Sequence, residues 1–432
     1  MGTHLSSGLA VIVDGYTSGN HLPPAFRRAG AELAHVQSTP ELMTTMKPPA
    51  LEAYDYVLAS QDFEEVVTQL RGLRASCVVA GQEPGVELAD KLAERLALPG
   101  NGTRMSKARR DKFEMIEAIK GAGLNSAQQM RSGDIGEILD WVEQHGAWPV
   151  VVKPISSAAS DGVTICTDVG QVREACEKLF GSWDIFGTQN NHILVQSYLD
   201  GDEYNIDTVS LNGSRYTCCI TRYHKRLLNG HRVYDRSEIV DPETDPVAAE
   251  IINYLDLALE ALEIRNGATH AEVIITQDGP ALVEVGARTS GSLLPAFHDA
   301  CTGTNQADVL ALAYTDPARF NSEYAGRTYR KLRHGSVTYG ITEQSGEVLA
   351  VNETVANDIR NLPTVREFVP RQRPGDQLVP TADLYSATFR LHQIAETENE
   401  IRADYQQIQK LKDDLYVLAN QGADTDLINE RN

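Results

Sequence analysis

Two periodicities share this chain. Short apolar, β-branched runs occupy residues 8–14, Leu33–Gln37, Tyr54–Ala59 and Cys77–Ala80. Helical spacing over 22–30, 62–73 and 86–96 separates them, and strands alternating with helices predict a parallel α/β unit over about residues 1–100. The Leu98-Pro-Gly-Asn-Gly102 stretch marks a boundary. Beyond it the pattern predicts helices over 109–122 and 134–143, and strands over 149–153 and 163–167 joined by small residues. A helix at 170–179, a strand at 192–197 and a hairpin over Glu203–Ile220, turned at Asn212-Gly213, follow. Residues 244–263 read as a helix. After residue 330 the texture changes to short strands near 335–341, 348–352 and 365–369, then a long polar helix over 388–419 and a frayed tail.

One predicted hairpin carries chemistry. It runs His270-Ala-Glu272-Val-Ile-Ile-Thr-Gln-Asp278-Gly279-Pro-Ala-Leu-Val-Glu284-Val-Gly286-Ala-Arg288. Asp278-Gly279 is a tight-turn signal between two apolar runs. With the turn centred near Asp278, Glu272 and Glu284 become cross-strand neighbours. His270 shares a face with Glu272, and Glu284 shares one with Gly286 and Arg288. Like charges directly opposite on a sheet are destabilising, and a divalent cation between them removes that cost. Oxygen-only ligands suit Mg²⁺, which keeps water and phosphate oxygens in its shell. Two unrelated glutamates on a solvated face are the plainer alternative.

Three other segments are suggestive, each with an ordinary alternative. Val150-Val-Val-Lys153-Pro154 ends a strand with a lysine, and Ile155-Ser156-Ser157-Ala-Ala-Ser160-Asp-Gly162 follows. Small side chains let backbone N–H groups approach phosphate oxygens, and the lysine adds a point charge. No Gly-Lys-Ser/Thr opens a helix here, so the Walker pattern is absent; a flexible connection with a surface lysine is the alternative. Ile193–Glu203 is a strand, a connector and a second strand. Connector backbone groups can meet an adenine edge and Glu203 can accept from ribose hydroxyls, although a plain linker is favoured on these residues alone. In Arg109-Arg110-Asp111-Lys112 the lysine falls early in a helix, and a solvated face is the better reading in isolation.

Composition narrows the partners. A length of 432 residues suggests two to four structural units. A net charge of -21 argues against nucleic acid and anionic membranes as partners. The six cysteines show no C-x-x-C spacing, as expected of reduced thiols in a cytoplasmic protein. No apolar run approaches the roughly 20 residues of a membrane span, and no signal peptide is apparent.

In order and approximate spacing, these pieces together resemble the ATP-grasp superfamily over residues 75–380. The resemblance implies an α/β fold, α+β in part. It divides the chain into an N-terminal parallel α/β domain (1–105), a helical linker with a lid subdomain (106–201), a mixed-sheet catalytic subdomain (202–330) and a β-rich C-terminal subdomain with a long helix (331–432). It implies that Lys112 and Lys153 contact ATP phosphates, cradled by Ser156, Ser157, Ser160 and Gly162. Gln196, Tyr198 and Leu199 would line the adenine site, with Glu203 on the ribose. Glu272 and Glu284 would hold Mg²⁺, with Mn²⁺ as the substitute cation.

Glu284-Val-Gly286-Ala-Arg288-Thr-Ser-Gly291 looks most like the amino-acid ligase branch, which includes bacterial dipeptide synthetases. Gly81-Gln-Glu-Pro-Gly85 and the segment after it support that branch. There the arginine four residues past the second glutamate binds the reacting carboxylate and acyl phosphate, a position held here by Arg288, with Gly291 beside the substrate. One departure is Gly286, where many relatives carry a metal-binding asparagine. Ser292 is small, which suits a larger or unusual first substrate.

The implied reaction is ATP-dependent amide-bond formation between two amino acids through an acyl phosphate, releasing ADP and phosphate. Alternatives are a ligase joining a non-amino-acid carboxylate to an amino acid in natural-product assembly, a carboxylase- or purine-type enzyme, and a nucleotide-binding protein without turnover. No general base is evident. His270 is a candidate, with a structural histidine bonded to backbone as the favoured reading, and His224, in the basic aromatic run Thr221–Arg226, lies either in the substrate pocket or on a solvated loop. A homodimer is common among such ligases.

Overall fold

The computed structural model describes residues 8–43, 46–155, 162–184, 187–229 and 231–419. Two compact units divide the chain: the first holds the residues up to Arg222 and Ile239–Leu332, the second Tyr223–Glu238 and the residues from Arg333 on.

The first unit opens with β1 (Leu9–Val13), α1 (Leu22–Arg28), β2 (Glu32–Val36), β3 (Tyr56–Leu58), α2 (Phe63–Gly72), β4 (Ala75–Ala80) and α3 (Val86–Leu96). The strands form a sheet of order β3-β2-β1-β4, parallel throughout. Every residue of β1 is buried, as in parallel strands covered on both faces. Val11, Val13 and Val78 pack with Val66 and Leu70 of α2 and Leu92 of α3.

α4 (Lys112–Gly121) begins where the Asp111 side chain accepts from the backbone N–H groups of Phe113 and Glu114. After it come β5 (Gln129–Ser132), α5 (Ile135–His145), β6 (Val150–Pro154), β7 (Thr164–Cys166), α6 (Val169–Leu179) and β8 (Ile193–Ser197). These strands make an antiparallel sheet of order β5-β8-β6-β7. Ile138, Val142, Val150, Val172 and Ile193 form its core with the two helices.

β9 (Asp202–Leu211), β10 (Ser214–Leu228), β11 (His231–Ile239), α7 (Ala248–Ala261), β12 (Gly267–Thr276) and β13 (Gly279–Gly286) follow, then α8 (Pro295–Thr302), α9 (Gln306–Thr315), α10 (Pro317–Glu323) and β14 (Arg327–Thr328). In the first unit the sheet order is β13-β12-β9-β10, with β14 beside β10. The segment Thr221–Arg226 is not a loop: it lies within β10, which runs on to Leu228.

The second unit adds β15 (His334–Tyr339), β16 (Gly346–Val351), α11 (Glu353–Arg360), β17 (Val365–Pro370), β18 (Gln377–Leu378), β19 (Phe389–Ala395), α12 (Glu398–Leu411) and β20 (Tyr416–Leu418). One of its sheets runs β11-β15-β19-β17 and another β18-β16-β20. The long helix expected over 388–419 is instead strand, helix and strand. Phe389 and Leu391 flank Arg390 at the strand period, and a capping box at Thr397 and Glu400 starts the helix anew.

Candidate active site

The carboxylate hairpin turns one residue earlier than the Asp278-Gly279 signal suggests. Thr276 pairs with Gly279, so Gln277 and Asp278 form the turn, and Gly279 takes the left-handed backbone (φ +96°) that completes it. Continued without interruption, this register would set Glu272 opposite Val283. A bulge intervenes: the pairing steps from Val273–Leu282 to Glu272–Glu284, leaving Val283 as the extra residue. The bulge thereby brings the two glutamates face to face and sets His270 opposite Gly286. On its other side β12 pairs with β9, placing Asp207 beside His270 and Asn205 beside Glu272.

Two lysines converge on this hairpin. Lys112 is the first residue of α4, and its ammonium lies 2.5 Å from Glu284 Oε2. Its backbone N–H donates to Ile155 O at 3.3 Å, joining the start of α4 to the end of the strand that carries Lys153. Lys153 is buried, with 6 % of its surface exposed. Burial and the neighbouring Lys112 charge push its pKa down to about 8, against the pull of Glu284, Glu272 and Glu203. Burial also works against the Glu284 anion, but the Lys112 ammonium outweighs it and holds the carboxyl below its ordinary range. Lys112, Lys153, Glu203, Glu272 and Glu284 therefore share one electrostatic neighbourhood.

Gln196 is buried in β8, where its amide donates to Gln129 Oε1 at 2.9 Å. Gln129 in turn donates to Phe113 O in α4 at 2.8 Å. Tyr198 and Leu199 are half-buried in the connector to β9, and Glu203 is buried in that strand. Gly162 precedes β7, whereas Ser156, Ser157 and Ser160 lie outside the described residues. Gly291 and Ser292 are exposed in the turn after Arg288, and a side chain at Gly291 would meet open space. His270 Nδ1 lies 2.7 Å from Asp207 Oδ1. Burial favours the neutral ring, yet Asp207 overrides it and the imidazole pKa is raised. His224 belongs to the second unit, where its Nε2 lies 2.7 Å from Glu238 Oε2.

Arg288 is buried and tightly held. Its Nε donates to Glu83 Oε2 at 2.7 Å and its Nη1 to Thr289 O at 2.8 Å. Arg110 Nη1 lies 3.0 Å from the other oxygen, Glu83 Oε1. Burial opposes the Glu83 charge, but Arg288, Arg110 and Lys112 together hold its pKa at about 2. Sequence reasoning assigned no role to Glu83, Arg110 or Asp207. The Gly81-Gln-Glu-Pro-Gly85 stretch directly after a parallel strand was a usable signal, because ligands to open α/β sheets bind beyond the carboxyl ends of strands.

Among the described residues, no three or more His, Cys, Asp or Glu side chains form a metal-binding group. Two opposed carboxylates, with phosphate oxygens and water completing the shell, are nonetheless a donor set that fits Mg²⁺. No described helix is long and apolar enough to cross a membrane.

Residues 147–295 match the family model described as ATP-grasp domain. The chain is 32% identical to dapdiamide A synthase of Enterobacter agglomerans over 413 residues, covering 94% of this chain and 96% of that protein. It is 24% identical to alanine--anticapsin ligase of Bacillus subtilis (strain 168) over 250 residues, covering 53% of this chain and 51% of that one. The crystal structure of an L-amino acid ligase from Bacillus licheniformis superposes with a TM-score of 0.71 at 20% identity, covering 96% of this chain and 99% of that one. Fold and site thus define an enzyme of the ATP-grasp class. The chain belongs to the ATP-grasp ligases, in the branch of the amino-acid ligases, and it is an enzyme that forms C–N bonds.

Proposed function

We propose that this ligase uses MgATP to join the carboxylate of one amino acid to the amine of another, through an acyl phosphate. The observation that carries the reading is the convergence of Lys112 and Lys153 on the paired Glu272 and Glu284, with Arg288 only two residues beyond that hairpin. Glu272 and Glu284 would hold Mg²⁺, which when bound offsets charge on the phosphates. With a cation held there, Glu284 would no longer need Lys112 as its counter-charge, which would leave the Lys112 ammonium for the nucleotide.

The remaining steps belong to the chain's own groups. Lys153 and Lys112 neutralise the phosphoryl oxygens, mostly by position and charge. Gln196, Tyr198 and Leu199 border the base and Glu203 accepts from the ribose. The donor carboxylate attacks the γ-phosphorus and ADP leaves. The acceptor amine then attacks the acyl carbon, the C–N bond forms and the acyl C–O bond breaks, phosphate leaves with that bond's electron pair, and the nitrogen gives up a proton to solvent. Arg288 binds the carboxylate and later the developing oxyanion. His270, oriented by Asp207, is a candidate to meet the substrate. Exposed Ser292 and open Gly291 leave room for a bulky donor.

The test is ADP release with MgATP across paired standard L-amino acids, with mass spectrometry of the products. ADP that depends on a particular pair, with a product mass equal to the sum of both minus water, is expected. Turnover confined to non-amino-acid carboxylates plus an amino acid would instead support a donor of the kind used in natural-product assembly.

A further inference from the structure

The Glu83 carboxylate is shared between two guanidiniums, one from the residues leading into α4 and one from the end of the carboxylate hairpin. It also occupies a defined volume. A Cβ added to Gly286 would sit 3.0 Å from Glu83 Oε2, 3.3 Å from Arg288 Cζ and 3.4 Å from Arg288 Nε. The place of a side chain at 286 is thus filled by the Glu83–Arg288 pair. Gly286 needs no unusual backbone, because its φ is not among the positive ones. Its lack of a side chain is explained by this close approach.

The pair also limits how Arg288 presents itself. Glu83 takes Nε and Thr289 O takes one Nη1 donor. Among the described residues Nη2 donates to no partner, so the guanidinium's outer edge is the part left for an anion. A planar fork held on one edge is set in orientation, and orientation decides whether an arginine meets a carboxylate with two bonds or one.

We infer that Glu83 is the positioning residue for Arg288 and that Gly286 is a glycine in order to admit it, so that the two positions act as one specificity unit for the carboxylate donor. This rests on the ligase reading for Arg288. Arg110, on the second oxygen, keeps the Glu83 carboxylate from rotating away. Glu83 comes from the loop after β4, so the parallel domain takes part in the reaction by aiming an arginine of the catalytic sheet.

The experiment uses the full chain and the amino-acid pair with the highest ADP release in the array of standard L-amino acids. Glu83→Gln keeps the shape and removes the charge. Its kcat/KM for the donor amino acid should fall about 10²-fold, the scale of a misplaced catalytic contact, with kcat and donor KM both affected and the KM for MgATP within about threefold. Gly286→Ala should fall in the same parameters. Placed in Glu83→Ala, which vacates the space, Gly286→Ala should add little further loss. Wild-type donor kinetics in Glu83→Gln, losses shared equally with MgATP, or fully additive effects at 83 and 286 would overturn the inference. If no pair turns over, the reading of two standard amino acids as substrates fails, and melting temperatures still decide the pair. The shifts of Glu83→Gln and Arg288→Gln should then be non-additive in the double variant, whereas simple addition refutes the coupling.

Discussion

Arg109 and Arg110 are consecutive in sequence and opposite in use. Arg109 is fully buried, and nearly every donor it has is spent on the fold. It reaches Asp90 at 2.7 Å, Gly102 O at 2.8 Å, Asn101 O at 2.7 Å and Leu262 O at 3.0 Å. These acceptors lie on α3, the loop after it and the end of α7, so one side chain ties three chain segments together. Arg110 is half-buried and meets the Glu83 carboxylate that also binds Arg288. A cation surrounded by backbone carbonyls is a structural tie; in the proposed reaction, a cation sharing a carboxylate with another arginine beside Lys112 serves the chemistry.

The largest expected effect sharpens the chemical side. Glu284→Ala should reduce ADP release to background, because it removes one of two opposed carboxylates; wild-type turnover in that variant would refute the metal assignment. The contrast between the arginines is next. Arg109→Ala strands a buried Asp90 and several carbonyls, and should cost roughly 3–5 kcal/mol of unfolding free energy, measured by denaturant titration. Arg110→Ala should leave the denaturation midpoint nearly unchanged while lowering kcat/KM about 10-fold to 10²-fold, the scale of one charge-assisted hydrogen bond. Equal stability losses in both would break the comparison.

The smallest effect is a pH dependence. Lys153 has its pKa lowered from 10.5 to about 8, so the free protein loses this charge as pH rises through about 8. ATP binding favours the charged form; affinity should therefore weaken above that pH, with proton uptake on binding detectable by calorimetry in buffers of different ionisation heat. The sign for folding is opposite. Between about pH 8 and 10.5 the unfolded chain binds more protons at this residue, and its contribution to stability rises with pH. An ATP affinity that is flat from pH 7 to 9.5 would remove Lys153 from the phosphates.

Much of this was legible in the chain because local and global signals agree. The apolar runs of β1, β2 and β4 and the helical faces of α2 and α3 specify a parallel domain by period alone. The Glu272–Glu284 pair was legible for a less secure reason: the turn and the Val283 bulge each shift the register by one residue and cancel. Neither is marked by a distinctive residue. Phe389–Ala395 was misread because His392 and Gln393 are polar yet buried, which hides the strand inside a polar stretch. Glu83 was missed because its partner Arg288 lies more than 200 residues on, and a contact of that kind leaves no trace in spacing. For Arg109, a run of charges resembles a solvated face whether or not it is one.

The central claim is that a carboxylate is activated by phosphoryl transfer before an amine attacks it. The most direct measurement supplies the donor with ¹⁸O in its carboxylate, together with MgATP and the acceptor, and analyses the released phosphate by mass spectrometry. An acyl phosphate route transfers one labelled oxygen to phosphate, and label should appear there in step with product. Phosphate released without label while amide forms would contradict the account.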